Sequence, residues 1–417
     1  MTATQRPTMT YSKMRGLLTF FSALLKGKKV GFRDFLHKLA SSQQLCQILD
    51  TKWILRPHSQ HGATKQKEEG SVSALTPDTS QMKPSDFDYL KIIGRGSFGK
   101  VLLARHRKEE RYYAVKVLQK QIIIQKKEQK NVMVERSVLL KGLQHPFLVG
   151  LHFSFQTPHA LYFVLDFVNG GELFYHIQRE GTFSEPRAAF YAAEVTLALG
   201  YLHSLNIVYR DLKPENILLD SEGHVMLTDF GLCKEGVAVG GTMRTFCGTP
   251  EYLAPEVLLG HTYTPAVDWW GLGTVLFEML CGLPPFYSPS KAQMLENILY
   301  APLHMHCELS EASKSLLEGL LERNVSKRLG KTCDVVELQE HSFFAYMNWD
   351  DLLARKVKPP FVPSVTGPCD VSYIDPEFTL QPVPPSVVDQ QWTSALSQAF
   401  PGFSYMNPED HMAAKMS

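Results

Sequence analysis

The chain has 417 residues, 44% hydrophobic and 20% charged, a composition typical of a soluble globular protein with room for one large domain or two ordinary ones. The longest apolar run near the start, residues 17–25, is nine residues long. A membrane-spanning helix needs about 20, so no transmembrane helix is predicted. The formal net charge of +1 hides an asymmetry, because residues 1–85 carry +8 and the remainder −7.

The basic start of the chain is predicted to be an appendage. Residues 1–49 show a helical sequence pattern, with apolar side chains at i, i+3, i+4 and i+7 from Phe32. Residues 17–40 are basic and amphipathic, which fits a helix on a membrane surface; a helix that awaits a protein partner is the alternative. Lysines follow the apolar run where a secretory leader would have a cleavage site. Residues 50–86 are polar and predict a flexible linker.

The seven cysteines are scattered, and none forms a C-x-x-C pair or another zinc-binding spacing. An odd count without a signal peptide predicts reduced thiols in a cytosolic or nuclear protein. They are Cys46, Cys233, Cys247, Cys281, Cys307, Cys333 and Cys369.

From residue 87 to 344 the sequence is globular, and its first part is typical of strands. One helical stretch is predicted at residues 126–140, and helical patterns dominate beyond Gly171. The predicted fold is therefore α+β and bilobal, with a small β-rich lobe before a larger helical one, and a Pro-rich tail at 345–417. The predicted strands cover residues 89–93, 100–104, 112–118, 151–155 and 161–167.

Residues 94–101 read G-R-G-S-F-G-K-V, a glycine-rich turn between two predicted strands. A Rossmann turn runs from a strand into a helix, but a β-rich run follows here. Glycine lets backbone N–H groups approach anionic oxygens, so the pattern favours a hairpin over phosphate groups; a plain tight turn is the alternative. The predicted ATP-binding residues are Ile93, Gly94, Arg95, Gly96, Ser97, Phe98, Gly99, Lys100, Val101 and Lys116.

Lys116 ends the strand-like run Y-A-V-K and can reach the α- and β-phosphates of a nucleotide from the sheet. Such a lysine needs an acidic partner to hold its ammonium group in place. Glu135, in V-M-V-E-R-S-V-L-L, is the predicted partner, whereas Glu128 sits among lysines and is predicted to be exposed.

The chemistry is carried by R-D-L-K-P-E-N at residues 210–216 and D-F-G at 229–231. Asp211 is predicted to orient the substrate hydroxyl and accept its proton, and Lys213 to neutralise the γ-phosphoryl group. Asn216 and Asp229 are the predicted Mg²⁺ ligands. The complete ordered set predicts phosphoryl transfer from ATP with Mg²⁺, and K-P-E-N is the form found in kinases of serine and threonine.

Two further acids are predicted to be architectural. Glu256, in A-P-E, is expected to pair with a buried arginine, Arg328 in S-K-R-L-G. Asp268, in V-D-W-W-G-L-G, is expected to hold the backbone of the catalytic loop.

Between D-F-G and A-P-E lies T-M-R-T-F-C-G-T-P-E-Y, a predicted activation segment. Phosphate on Thr245 adds about −1.5 to −2 charge and would order the segment against Arg210. Thr242 is the lesser alternative. Thr249 is expected to contact the catalytic loop.

Residues 87–405 resemble the serum- and glucocorticoid-regulated kinases of the AGC group. The resemblance rests on T-F-C-G-T-P-E-Y, F-P-G-F-S-Y at residues 400–405, L-H-F-S-F-Q-T at 151–157 and G-L-P-P-F-Y-S at 282–288. It implies a kinase of ion transport, survival and stress responses. A phosphoinositide-dependent kinase would act on Thr245 and a target-of-rapamycin complex on Ser404.

The resemblance also assigns roles in the tail and at the substrate site. Phe400 and Phe403 would dock on the small lobe, with phosphate on Ser404 tightening the contact, and Ser386 would be a turn-motif phosphosite. Glu172 and Glu215 match family positions that bind arginines, which implies R-x-R-x-x-[S/T] substrates. Each of these acids by itself is equally a solvated surface charge.

Partners and location are the least specific predictions. P-P-F-Y at residues 284–287 fits a WW-domain ligand, linked in the family to Nedd4-type ubiquitin ligases, or a packed loop. The protein is expected to be a cytoplasmic and nuclear monomer with peripheral endoplasmic-reticulum or plasma-membrane contact and no nucleic-acid partner. Residues 120–130 cover the family's nuclear-import region. The alternative function is a scaffold acting through P-P-F-Y and the N-terminal segment.

Overall fold

The computed structural model describes residues 82–237, 241–305, 307–383 and 399–407. Apart from residues 290–293, they belong to one unit that contains a sheet lobe, a helical lobe and a tail. The predicted α+β bilobal kinase architecture is confirmed. None of the helices within these ranges is long and apolar enough to cross a membrane.

The sheet lobe is built on six antiparallel strands in the order β1-β2-β3-β5-β4-β10. Alternating side chains bury one face around Phe87, Tyr113 and Phe153. The last strand comes from the far end of the chain, where Tyr405 pairs with Ser154. The strands are β1 (Phe87–Gly96), β2 (Gly99–His106), β3 (Tyr112–Gln119), β4 (Leu151–Gln156), β5 (Ala160–Asp166) and β10 (Tyr405–Met406).

The helix predicted at residues 126–140 is present as α2 (Gln129–Gly142), and a shorter helix that was not predicted, α1 (Lys120–Lys126), precedes it. The break is at Lys127, whose φ of +60° is left-handed and whose N–H bonds back to the carbonyls of Ile123 and Ile124. This is a helix C-cap without glycine, so the sequence carries no signal for it. The second helix carries Glu135 and faces the sheet.

The helical lobe forms around α4 (Glu185–Ser204), which is largely buried, and α6 (Ala266–Cys281), which is almost wholly buried. A helix that is apolar on all sides belongs in a core, and here α4 and the later helix α8 (Glu311–Leu320) both pack against α6. The helices after β5 are α3 (Leu173–Glu180), α4 (Glu185–Ser204), α5 (Pro255–Leu258), α6 (Ala266–Cys281), α7 (Lys291–Tyr300), α8 (Glu311–Leu320), α9 (Val335–Gln339), α10 (Trp349–Leu353) and α11 (Pro376–Thr379).

Two small antiparallel pairs lie beside these helices and set the position of the site loops. In one, β6 (Ile207–Val208) pairs with β9 (Lys234–Glu235); in the other, β7 (Ile217–Leu219) pairs with β8 (Val225–Leu227). The R-D-L-K-P-E-N loop runs from β6 to β7, and D-F-G follows β8. The pairing therefore brings the two chemistry-bearing motifs together.

One expectation about cysteine is wrong. Cys281 and Cys307 form a disulfide, with their Cα atoms 5.9 Å apart. Cys281 ends α6 and Cys307 precedes α8, so the fold joins residues whose spacing in sequence gives no sign of pairing. Among the other described cysteines, Cys233, Cys247, Cys333 and Cys369 are free thiols.

Candidate active site

The glycine-rich turn is a β-hairpin, with Gly96 paired to Gly99 between β1 and β2. A Cβ atom at Gly99 would lie 1.8 Å from the carbonyl oxygen of Val117 on β3, so no other residue fits there. The hairpin is the arrangement predicted for a loop over phosphates, and it excludes the strand-to-helix Rossmann turn. Ile93 and Val101 flank the turn and are partly buried.

Lys116 projects from β3 and meets two carboxylates. Its Nζ lies 2.5 Å from Glu135 Oε1 on α2 and 3.3 Å from Asp229 Oδ1. Burial lowers the pKa of Lys116, but Asp229 and Glu135 outweigh that effect and hold the pKa above its usual range. The ammonium group of Lys116 in turn lowers the pKa of Asp229. Both groups are therefore charged at neutral pH. The Lys116 cation could bind phosphate, and the Asp229 anion could bind a metal ion.

The D-F-G segment turns sharply at Asp229, whose φ is +55°. A non-glycine residue in this region is strained, and such strain persists only where the surroundings impose it. Phe230 is 1% exposed and meets the ring of Tyr209 edge-to-face, with the centroids 5.8 Å apart. This buried contact holds the strained turn and aims the Asp229 carboxylate at Lys116.

Asp211 lies at the centre of a polar cluster. Asn216 Nδ2 donates to Asp211 Oδ2 at 3.0 Å, and Lys213 Nζ lies 3.2 Å from the same oxygen. Thr249 Oγ1 donates to Asp211 Oδ1 at 3.3 Å and accepts from Lys213 at 3.1 Å. Burial raises the pKa of Asp211, although Lys213 opposes it. A general base is most effective when its pKa lies near the working pH, and a raised pKa moves the Asp211 carboxylate toward that value.

The site fits the two groups that its motifs imply. Asn216 uses its amide nitrogen on Asp211, so Oδ1 is the atom with which it would bind a cation. Within the described ranges there is no cluster of three or more metal-ligating side chains. Two protein ligands suit Mg²⁺, which keeps water and phosphate oxygens in its shell.

Asp268 on α6 supports the catalytic loop from below, as expected. Its Oδ2 accepts the backbone N–H of Tyr209 and its Oδ1 that of Arg210, both at 2.8 Å. The hydroxyl of the fully buried Tyr209 donates to the carbonyl of Thr228. The loop that carries Asp211 is therefore tied to the core at its backbone.

Glu256 and Arg328 form the predicted buried pair. Arg328 Nη1 lies 2.7 Å from Glu256 Oε1, and Nη2 2.9 Å from Oε2. Both side chains are almost fully buried. The bidentate geometry gives the pair its strength and fixes α5 against the segment after α8.

Arg210 does not contact the side chain of Thr245 directly. It donates to the carbonyl of Leu232 at 2.7 Å and to the hydroxyl of Tyr263 at 3.2 Å. The Tyr263 hydroxyl donates in turn to the carbonyl of Thr245 at 2.6 Å, and the Thr245 side chain is exposed. Tyr263, which sequence reasoning missed, connects the two predicted partners.

The predicted substrate acids lie near each other and near a third. Glu172 has its pKa raised to about 7, by burial and then by the carboxylate of Glu215. Glu215 Oε2 is buried without a hydrogen-bond partner among the described residues. Glu278 on α6 also has its pKa raised to about 7, by burial and by nearby acids including Glu215. Glu278 was missed because its neighbours in sequence are apolar.

The tail anchors are seated as the resemblance implies. Phe400 and Phe403 are 1% and 0% exposed. Arg136, next to Glu135 on α2, donates to the carbonyl of Phe403 at 2.6 Å and to that of Ser404 at 3.3 Å. Ser154 donates to the Phe403 carbonyl as well. Arg136 was not predicted, and no local pattern in the sequence marks it.

Several predictions lie outside the described residues. These are the phosphosite Ser386, the amphipathic segment at residues 17–40 and the linker up to residue 81.

Two protein families match the chain: the protein kinase domain at residues 87–344, and the protein kinase C terminal domain at residues 365–405. Similar curated proteins are the serine/threonine-protein kinases Sgk1 of Danio rerio, Mus musculus and Gallus gallus. The first is 56% identical and the others are 55% identical, and each alignment covers 97% of both chains.

Proposed function

The chain belongs to the serum- and glucocorticoid-regulated kinases of the AGC group and is a serine/threonine protein kinase, and we propose that it phosphorylates R-x-R-x-x-[S/T] sites under control of phosphate at Thr245 and Ser404. The contact of Lys116 with Glu135 and Asp229, which joins both lobes at one point, supports the phosphoryl transfer, and the buried Oε2 of Glu215, which has no hydrogen-bond partner among the described residues, supports the substrate preference.

We propose that ATP with Mg²⁺ supplies the phosphoryl group and the cation that neutralises it. Lys116, held by Glu135, would bind the α- and β-phosphates under the 94–101 hairpin. Asn216 and Asp229 would hold the metal ion. The charges assigned to Lys116 and Asp229 by their pKa shifts support these roles.

Asp211 is the proposed general base, and Lys213 the proposed cation beside the transferred group. Asp211 is held by Asn216, Lys213 and Thr249, so its carboxylate has little freedom to turn away from an incoming hydroxyl. Positioning of this kind supplies most of the catalysis in phosphoryl transfer.

The preference for arginine rests on the acid cluster of Glu172, Glu215 and Glu278. A buried carboxylate oxygen without a donor, as at Glu215, is costly unless a ligand satisfies it. A guanidinium group presents several donors in a planar fork and would satisfy such oxygens. A peptide array tests this: equal turnover after both arginines become alanine would contradict it.

Activation at Thr245 would act through Arg210. The side chain of Thr245 is exposed, and Tyr263 already connects its backbone to Arg210. A phosphate there would draw the guanidinium of Arg210, which precedes Asp211, and so order the activation segment against the catalytic loop. A phosphoinositide-dependent kinase is the proposed upstream enzyme.

Activation at Ser404 would act through Arg136. Because Arg136 follows Glu135 on α2, any change in tail docking reaches the Lys116–Glu135 pair through one helix. A target-of-rapamycin complex is the proposed kinase for Ser404, and Ser386 the proposed turn-motif site.

A WW-domain ubiquitin ligase is the partner proposed for P-P-F-Y. Phe286 of P-P-F-Y is buried and stacks on Trp270, with the ring centroids 5.9 Å apart. Tyr287 is 49% exposed, and its N–H closes a turn onto Pro284. A WW domain binds an extended segment, so this turn would have to open. A pull-down in which Tyr287→Ala binds as well as the native chain would contradict the proposal.

The roles in ion transport, survival and stress, and the cytoplasmic, nuclear and peripheral-membrane locations, are proposed from family membership. Replacing Lys26, Lys28 and Lys29 with glutamine tests the membrane contact, since an electrostatically held segment would leave anionic vesicles.

The kinase proposal is tested by ATP turnover of the native chain against Lys116→Met, with and without phosphate at Thr245 and Ser404. Loss of turnover with retained folding is expected. Full cellular function of the inactive variant would favour the scaffold alternative, which no observation on the described residues supports.

A further inference from the structure

His203, near the end of α4, has acceptors on both ring nitrogens. Its Nε2 lies 2.9 Å from Asp268 Oδ2 and its Nδ1 lies 2.9 Å from Asp334 Oδ1, with the side chain only 3% exposed. A carboxylate can only accept, so both nitrogens must donate, and only the imidazolium can do so. Burial lowers the pKa of His203, but the two carboxylates outweigh it and raise it to about 9.

The Asp268 carboxylate links His203 to the catalytic loop. The oxygen that faces His203 also accepts the N–H of Tyr209, and the other oxygen accepts the N–H of Arg210. Arg210 has a φ of +69°, so this backbone is strained and depends on its hydrogen bonds. A rotation of Asp268 would therefore move the backbone immediately before Asp211.

Asp334 is held firmly from the other side. Its Oδ1 also accepts Trp269 Nε1 at 2.8 Å, and its φ of +51° is strained. The preceding loop is tied down by Glu337, which accepts the N–H groups of Gly330 at 2.8 Å and Thr332 at 2.7 Å, and that of Cys333. A Cβ atom at Gly330 would lie 2.4 Å from Trp269, so this loop sits directly on α6.

We propose that Asp334 is a positioning residue for phosphoryl transfer, acting through His203 and Asp268 on the backbone that presents Asp211. It holds His203 as a cation with both N–H groups engaged, and this cation fixes the Asp268 carboxylate. The inference rests on the proposed role of Asp211 as general base.

Two titratable groups act on His203 in this arrangement, Asp268 from α6 and Asp334 from the loop before α9. The thiol of Cys233 faces Asp268 from the segment after D-F-G, and burial raises its pKa well above the usual range, so it stays neutral. With Asp334 neutralised, only Asp268 keeps the proton on His203, and the pKa of His203 falls toward its ordinary value.

The test is Asp334→Asn in the full chain, with kcat and KM measured from pH 6 to pH 8.5. At pH 6 the variant should match the native kinase, because His203 is protonated in both. At pH 8 its kcat should be about tenfold lower, within the range that a remote misplacement produces, with KM for ATP and peptide unchanged. Glu340→Gln, which removes an exposed charge six residues after Asp334 in the sequence, should show no such pH dependence.

A loss of kcat that is equal at every pH would overturn the proposal, since a merely structural Asp334 has no reason to follow the His203 proton. So would additive losses in a cycle with His203→Gln, because a residue that acts only through His203 has nothing to add once it is gone.

A measurement on the native chain covers the case in which the variants do not fold. The His203 ring resonances in NMR should titrate near pH 9. Titration near 6.5, the usual histidine value, would overturn the proposal. If the native chain showed no turnover while the His203 ring still titrated near pH 9, the kinase function would be refuted instead.

Discussion

The two lobes hold the carboxylates proposed for catalysis in different ways. In the helical lobe, Asp211 sits on a loop whose backbone is bonded to the buried Asp268, and the nearby Glu256–Arg328 pair is almost fully buried. In the sheet lobe, Glu135 sits on α2, which is secured by Arg136 to a separate tail segment.

That difference bears on the control proposed at Ser404. Buried and hydrogen-bonded groups have little room for adjustment, so the backbone before Asp211 is held by the fold of the helical lobe. α2 buries Val132, Val138 and Leu139 in the core. Its side-chain hydrogen bonds are partly exposed, with Arg136 bonded to the tail and both Ser137 and Lys141 bonded to Glu235 of β9. Partly exposed contacts of this kind can be strengthened or broken by a nearby phosphate group.

The largest effect is expected at the base itself. Asp211→Asn should lower kcat by about 10²–10⁴, the usual contribution of a positioned general base, because an amide cannot accept the proton. KM for ATP should change little, since Lys116 and Asp229 remain. The measurement is steady-state turnover, with the exposed Asp350→Asn as control. A variant that kept most of its kcat would remove Asp211 from the chemistry.

The second effect tests whether the helical lobe is the rigid part. Glu256→Ala leaves Arg328 charged, buried and unpaired, which should cost about 3–5 kcal/mol of unfolding free energy. Chemical denaturation measures it, with exposed Glu340→Ala as control. A cost under about 1 kcal/mol, typical of a surface pair, would show that the lobe adapts around this ion pair.

The third effect tests the adjustable part. Arg136→Ala removes two hydrogen bonds to the tail, worth about 1–3 kcal/mol together, so kcat should fall about tenfold without loss of global stability. Lys108→Ala, an exposed cation on the β2–β3 turn, is the control. If activity were unchanged, the tail would not control α2 through this residue.

The smallest effect concerns substrate binding. The pKa of Glu172 and that of Glu278 are each raised to about 7, so both carboxyls are charged above that pH and neutral below it. KM for an R-x-R peptide should therefore rise as pH falls from 8 to 6. Each of the two groups can raise KM by at most about tenfold for each pH unit. A peptide with alanine in place of both arginines is the control. Parallel pH profiles for the two peptides would exclude these acids from recognition.

Much of the fold could be read from the sequence because its signals are local. Short β-rich runs marked the strands, and the hairpin followed from glycines between two of these runs. The helix predicted at 126–140 is present from Gln129, and only its start was placed too early, because the left-handed turn at Lys127 needs no special residue when backbone carbonyls cap it. The disulfide was missed because 26 residues separate its cysteines.

The sequence by itself determined which residues are proposed to carry the chemistry of this protein. Each reactive group stands in a short motif whose spacing is dictated by one turn or one strand, as with Asp211, Lys213 and Asn216. Only the tertiary structure decided what holds those groups in place. Arg136 meets Phe403 across 267 positions, Glu278 comes to lie near Glu215, and Asp334 reaches His203. Such contacts join segments far apart in the chain, and the residues around each partner carry no local pattern from which the other could be read.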